Sequence, residues 1–183
     1  IANNNGFSLA DIFMYNDKHN EENGESNQDG SAWNFSNNYG VEGQTNKKFI
    51  KTIRRNKWRN AMMMLFLAQG VPLLWSGDEI GNSQNGNNNA YCQDNETGWV
   101  KWKENQFSRE LTDFTCELIA LRKKHSVLHQ EAECKVMDTL GCGYPDISYH
   151  GTEAWRPDLS YISRMVGIML CGKYVSEEET SLY

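Results

Sequence analysis

Apolar and polar positions fall in blocks along this chain, and each block predicts an element. Residues 7–15 form a short amphipathic stretch, with Ser8 placed to cap a helix. Residues 16–45 are rich in Asn, Gly, Glu, Asp and Ser and predict a long loop. Trp33, Phe35 and Tyr39 within it argue for an ordered surface loop rather than a free linker. Residues 46–69 predict one long helix: its first half is basic, and Ile50 and Ile53 mark an inner face. Residues 61–68 are apolar all round, the mark of a buried helix. Gly70 is placed to end it and Pro72 prevents continuation. The apolar run 71–75 then suits a parallel strand covered on both faces. Gly77, Asp78 and Glu79 bring flexibility and charge to its C-terminal end, and a wide polar loop follows over 77–107. Ser108 opens a further helix in which Leu111, Phe114, Leu118 and Leu121 recur at helical spacing. Arg122, Lys123, Lys124 and His125 complement that helix's C-terminal dipole. After Val127 the pattern changes to short segments at 132–137, 147–150 and 166–170, separated by Gly, Pro and Asp. These predict the start of a small β domain, with 181–183 opening another strand.

Composition narrows the function classes. The chain has 183 residues, is 39% hydrophobic and carries a net charge of −6. An acidic chain with a mean hydropathy of −0.70 lacks the field that attracts nucleic acid or an anionic membrane. No apolar run reaches transmembrane length, and no signal-peptide pattern follows Ile1. The cysteines Cys92, Cys116, Cys134, Cys142 and Cys171 are odd in number and form no CxxC pair, which predicts free, buried thiols in a reducing compartment. The histidines stand in no ligand spacing with them, so no zinc site is expected. Asp29-Gly30 tempts a calcium reading, but the other ligands of an EF-hand loop are missing.

Three ordered blocks carry chemistry: Asn4-Asn5-Gly6-Phe7-Ser8-Leu9, the run 70–79 ending in Gly77-Asp78-Glu79, and Asn87-Asn88-Asn89-Ala90-Tyr91. Taken bare, the first is an Asn-rich turn, and the Asn of the third serve Asx turns. In this order, and with Gly40-Val41-Glu42-Gly43 between them, they resemble the glycogen-debranching enzymes, isoamylases and pullulanase-type members of the α-amylase superfamily. The resemblance implies an α/β fold: the C-terminal part of a (β/α)8 barrel over 1–126, from the end of strand seven to helix eight. The opening of a C-terminal β-sandwich domain would occupy 127–183. It implies an α-glucan partner such as glycogen, starch or maltodextrin, a cytoplasmic location and no cofactor.

In that family the first block reads His-Asp-Gly-Phe-(Ser/Thr)-Leu. The Asp stabilises the oxocarbenium-like transition state and the His touches the same sugar. Asn4 holds the His position here and Asn5 the Asp position. An amide keeps hydrogen-bonding capacity but loses the charge. Asn88, Asn89 and Tyr91 fall on the loop after strand eight as rim contacts to sugar, while Asp78 and Glu79 are structural in the family. Trp33, Trp99, Trp102 and Trp155 are packing groups before they are sugar platforms. A retaining glycosidase needs a nucleophile and an acid close together. The family carries these on strands four and five, so the resemblance predicts a chain that is inactive alone. The alternative is a homologue that binds branched α-glucan without cutting it, marked by Asn4-Asn5.

Overall fold

The computed structural model describes the chain apart from residues 1, 3, 4, 103 and 104. It forms two compact units: Ile1–Phe66 with Pro72–Leu118, and Leu67–Val71 with Ile119–Tyr183.

In the first unit, helix α1 is a single turn, Leu9–Ile12, shorter than the predicted 7–15. Ser8 is its N-cap, and its Oγ accepts the Asp11 N–H at 3.3 Å. Phe7, Met14 and Tyr15 are buried together, with Ala10 and Ile12 packed against them. Helix α2 runs Lys48–Leu67, within two residues of the expected bounds at either end. Ile50, Trp58, Ala61, Met62 and Phe66 form its buried face. Residues 61–68 are not buried all round: Met63 and Met64 face solvent. The run is amphipathic here because nothing among the described residues packs on that side. Gly70 takes φ +88°, as expected of the residue that ends this helix.

The run 71–75 is irregular and belongs to no strand, and a turn begins at Ser76. Val71 is 96% exposed and Leu73 69%. An apolar sequence specifies a willingness to pair; pairing itself needs a neighbour, and the sheet among the described residues lies elsewhere. Helix α3, Gln106–Lys124, starts two residues before the expected Ser108. Asn105 and Ser108 cap it reciprocally: each side-chain oxygen accepts the other's backbone N–H at 3.0 Å. Leu111 and Leu118 are buried, and Phe114 meets Trp58 with ring centroids 6.2 Å apart.

In the second unit, strands β1 (Ile147–His150) and β2 (Gly167–Leu170) pair antiparallel, with Ile147 opposite Leu170. Both lie where the sequence predicts strands, and the third segment, 132–137, is irregular. Asp146 explains why: its carboxylate accepts the backbone N–H groups of Lys135, Val136 and Ile147, turning the first segment around the start of β1. Leu182 bridges to Leu170, which adds a one-residue third edge. Val127, Leu128 and Leu170 make the core, joined by Leu67, Ile147 and Leu182. Cys171 is buried, but Cys92 and Cys116 are exposed, so the expectation that the thiols are all buried does not hold. No helix among the described residues is long and apolar enough to cross a membrane.

Candidate functional site

Two buried carboxylates fix the segment that follows Asn5. Asp78 Oδ1 accepts the Leu9 N–H at 2.8 Å, and the Asp78 carbonyl accepts the Trp58 indole N–H at 3.1 Å. Asp11 accepts the Gln84 N–H at 2.8 Å and the Ser83 hydroxyl at 2.5 Å. The turn into α1 and the loop beyond Gly77 are therefore one construction, held by charges placed where water is excluded. Burial pushes the Asp78 carboxyl up to about 7, with the nearby charges of Glu79 and Asp11 acting in the same direction. Burial raises Asp11 as well, against the hydrogen bonds it accepts. These groups anchor the site. Asn5 sits at the exposed start of this segment. Asn4 lies outside the described residues.

The second part of the site is an amide network between the loops at 16–45 and 82–97. Asn20 and Asn88 are both buried and bond reciprocally: Asn20 Nδ2 donates to Asn88 Oδ1 at 2.9 Å, and the Asn88 backbone N–H donates to Asn20 Oδ1 at 3.0 Å. The Asn88 amide nitrogen donates onward to the Ser31 carbonyl and to Asn34 Oδ1. Asn87 donates to Asn23 Oδ1 at 2.7 Å. Asn23 and Asn89 both donate to Asp29 Oδ2, at 2.7 and 2.8 Å. These two bonds, Asn23 first, hold the Asp29 carboxyl below its ordinary range. Glu22 accepts the Thr97 hydroxyl at 2.5 Å and extends the tie. Amides dominate because each both donates and accepts, so a buried chain of them is satisfied without a net charge.

The network leaves no room for a side chain at Gly30. A Cβ there would stand 2.2 Å from Asn88 Oδ1, and its φ of +70° disfavours other residues. At Gly86, φ is +79° and a Cβ would meet the Tyr15 ring at 2.6 Å. Tyr15 in turn meets His19 edge-on at 5.3 Å, and His19 Nε2 lies 3.3 Å from Glu42.

Of the residues singled out from sequence, Asn88 is spent on in-chain bonds and Asn89 binds Asp29. Tyr91 is 82% exposed and presents its ring to solvent beside them. Trp33, Trp99 and Trp102 are exposed rather than the packing groups expected. Trp155, half-exposed, does pack, stacked on Tyr144 at 6.3 Å and edge-on to His150 at 4.9 Å. Asn20, Asn23 and Asp11 have no site role in the sequence reading, and Asp29 enters it only as a rejected calcium ligand, although all four hold the architecture. Clustered asparagines on both loops are the only local sign of them. Among the described residues, no group of three or more His, Cys, Asp or Glu is placed to hold a metal ion.

No family model matches the chain. It is 47% identical over 137 residues to the glycogen operon protein GlgX homolog of Haemophilus influenzae, a span that covers 72% of this chain and 20% of that protein. It is 47% identical over 131 residues to the glycogen debranching enzyme of Erwinia tasmaniensis, again 72% and 20%. With the GlgX homolog of Mycobacterium tuberculosis the identity is 44% over 130 residues, 71% of this chain and 18% of that one. The chain spans about a fifth of the length of the curated relatives it matches.

Proposed function

We propose, since the chain belongs to the family of the glycogen debranching enzymes, that it supplies the closing part of a glycoside hydrolase that removes α-1,6 branches from glycogen or a related α-glucan. Residues 1–126 form the end of its (β/α)8 barrel and residues 127–183 the opening of the β domain that follows. The single observation behind this reading is the identity of 44–47% over about seven-tenths of the chain. The geometry is consistent with it. Asn5 stands at the head of a segment fixed by Asp11 and Asp78, as a group that must meet one sugar carbon has to be. Asn4, at the position of the family His, is assigned the same sugar by the resemblance alone. Tyr91 offers a ring face at the rim, and Asn88 and Asn89 hold that rim in register.

In retaining hydrolysis, positive charge develops at the anomeric carbon. A carboxylate beside it acts mainly on the transition state, whereas an amide at position 5 supplies ground-state hydrogen bonds without the charge. The nucleophile and the acid come from outside this chain, so the chain by itself releases no reducing sugar. The assembly works in the cytoplasm and needs no cofactor. Asn5 also favours a second reading, a homologue that holds branched glucan without cutting it.

A chimera separates the two. Residues 1–126 replace the matching part of the Erwinia tasmaniensis enzyme, once as they stand and once with Asn5→Asp. Both chimeras should be retarded by glycogen in a native gel. Asn5→Asp should raise reducing-sugar release by about 10²-fold or more, the scale of one lost electrostatic stabiliser, with little change in retardation. Equal turnover from two chimeras that both bind glycogen would remove position 5 from the reaction.

A further inference from the structure

The first unit holds a cavity of about 700 Å³ that the amide network does not touch. That is within the size range of small-molecule sites. Its walls come from the first turns of α2, the start of α3 and the loop 80–85. Lys48, Lys51, Arg55 and Lys101 line it, and no acidic side chain does among the described residues. In a chain of net charge −6 this is a local reversal of sign. Neither α2 nor α3 carries an acidic residue in its first turn, which leaves their positive ends less complemented than usual among the described residues. Arg55 is half-held: Nη1 meets Glu110 Oε2 at 2.9 Å, while its buried Nε has no partner. The remaining walls are of two kinds. Phe13, Trp58, Phe107 and Leu111 are apolar, and Asn82 and Asn85 offer amides.

We propose that this cavity binds a phosphorylated sugar. The lysines and Arg55 take the phosphate, since ammonium and guanidinium groups make the strongest hydrogen bonds to such oxygens. The amides take ring hydroxyls, and Phe107, half-exposed at the rim, covers the ring's C–H face. A bare phosphate fills too little of the space, and an uncharged sugar leaves the cations uncompensated. The proposal goes beyond the debranching reading and does not depend on it, because its test involves no glucan and no turnover.

The experiment is calorimetric titration of the whole chain with glucose 1-phosphate, with glucose and inorganic phosphate as controls. Glucose 1-phosphate should bind saturably, glucose not at all, and inorganic phosphate about tenfold more weakly or worse. The pair Lys48→Gln and Lys51→Gln should weaken binding by about tenfold, the scale of one charge-assisted hydrogen bond. Both lysines are exposed on α2, so the helical circular dichroism of the variant should be unchanged. No saturable binding, equal binding of inorganic phosphate, or a pair of substitutions without effect would each overturn the proposal.

Discussion

Asp78 carries a carboxylate into a place that disfavours its charge, and the consequence is a pH dependence with a definite sign. Its folded pKa, about 7, lies above the 3.8 of an ordinary aspartate, which describes the unfolded chain. The folded form therefore binds the proton more tightly. The stability this group contributes is full below the unfolded value and is lost as pH rises toward 7. Glu79 and Asp11 push the same way, and the Leu9 N–H pushes back. Asp78→Asn keeps an oxygen for the Leu9 N–H and removes the ionisation. The variant should melt higher than the parent at pH 8, and its advantage should shrink at pH 5. The difference should be a few degrees, at about 2–4 °C per kcal/mol for a chain of this size. Asp78→Ala also removes the ionisation but strands the buried Leu9 donor, so it should be less stable than Asp78→Asn by about 1–3 kcal/mol at either pH. An advantage of Asp78→Asn that does not change between pH 5 and pH 8, read by scanning calorimetry, would mean that the carboxyl is not the titrating group.

At the scale of elements, α2 acts as a clamp. Arg54 lies buried on it, and its guanidinium donates to the Gly43 carbonyl at 2.6 Å, to Asn38 O at 2.7 Å and to Val41 O. One planar fork thus closes the long loop that starts at Asn16. The Gly43 N–H donates back to Met14 O at 2.8 Å, and Asn37 N–H to Ile12 O at 2.9 Å. An ammonium cannot bridge carbonyls so spread. Arg54→Lys should speed hydrogen exchange at Gly43 and Asn37 by about tenfold or more, at about 1.4 kcal/mol per decade, and leave the centre of α3 unchanged. Unaltered exchange at both amides would show that the loop closes without the fork.

What could be read from the chain in advance follows the range of the forces involved. The bounds of α2 and α3, the Ser8 cap and the positions of β1 and β2 depend on neighbours within a few residues, and periodicity and capping chemistry show them directly. The pairing of Asn20 with Asn88 spans 68 residues, and the cavity joins walls from five segments. No local pattern marks either. The run 71–75 fails in the opposite way: its sequence is that of a strand, but strand formation also requires a partner. Asn5 takes its proposed role from the resemblance alone; no pattern of composition or periodicity gives its position a meaning.

That unmet requirement sets the behaviour of the whole molecule. Val71 and Leu73 stand in water on a backbone that belongs to no strand, and Met64 and Phe49 are exposed on α2. At about 25 cal/mol per Å² of apolar area removed from water, a few such side chains covered together contribute several kcal/mol to association. An apolar segment of strand-like sequence that no strand of its own chain pairs is also a template for another copy. The isolated chain should therefore associate as its concentration rises, seen as a growing weight-average sedimentation coefficient. The paired substitutions Val71→Lys and Leu73→Lys remove the adhesive surface without touching a buried contact, since both positions are exposed. They should return the chain toward the monomer at the same concentration and leave its helical circular dichroism unchanged. Two results would tell against this: a parent chain that sediments as a monomer throughout, or a doubly substituted chain that associates as strongly as the parent. The second would move the adhesive surface to the exposed aromatics of the loop at Trp33 and Phe35, where substitution with Ser should then have the effect denied to the run 71–75.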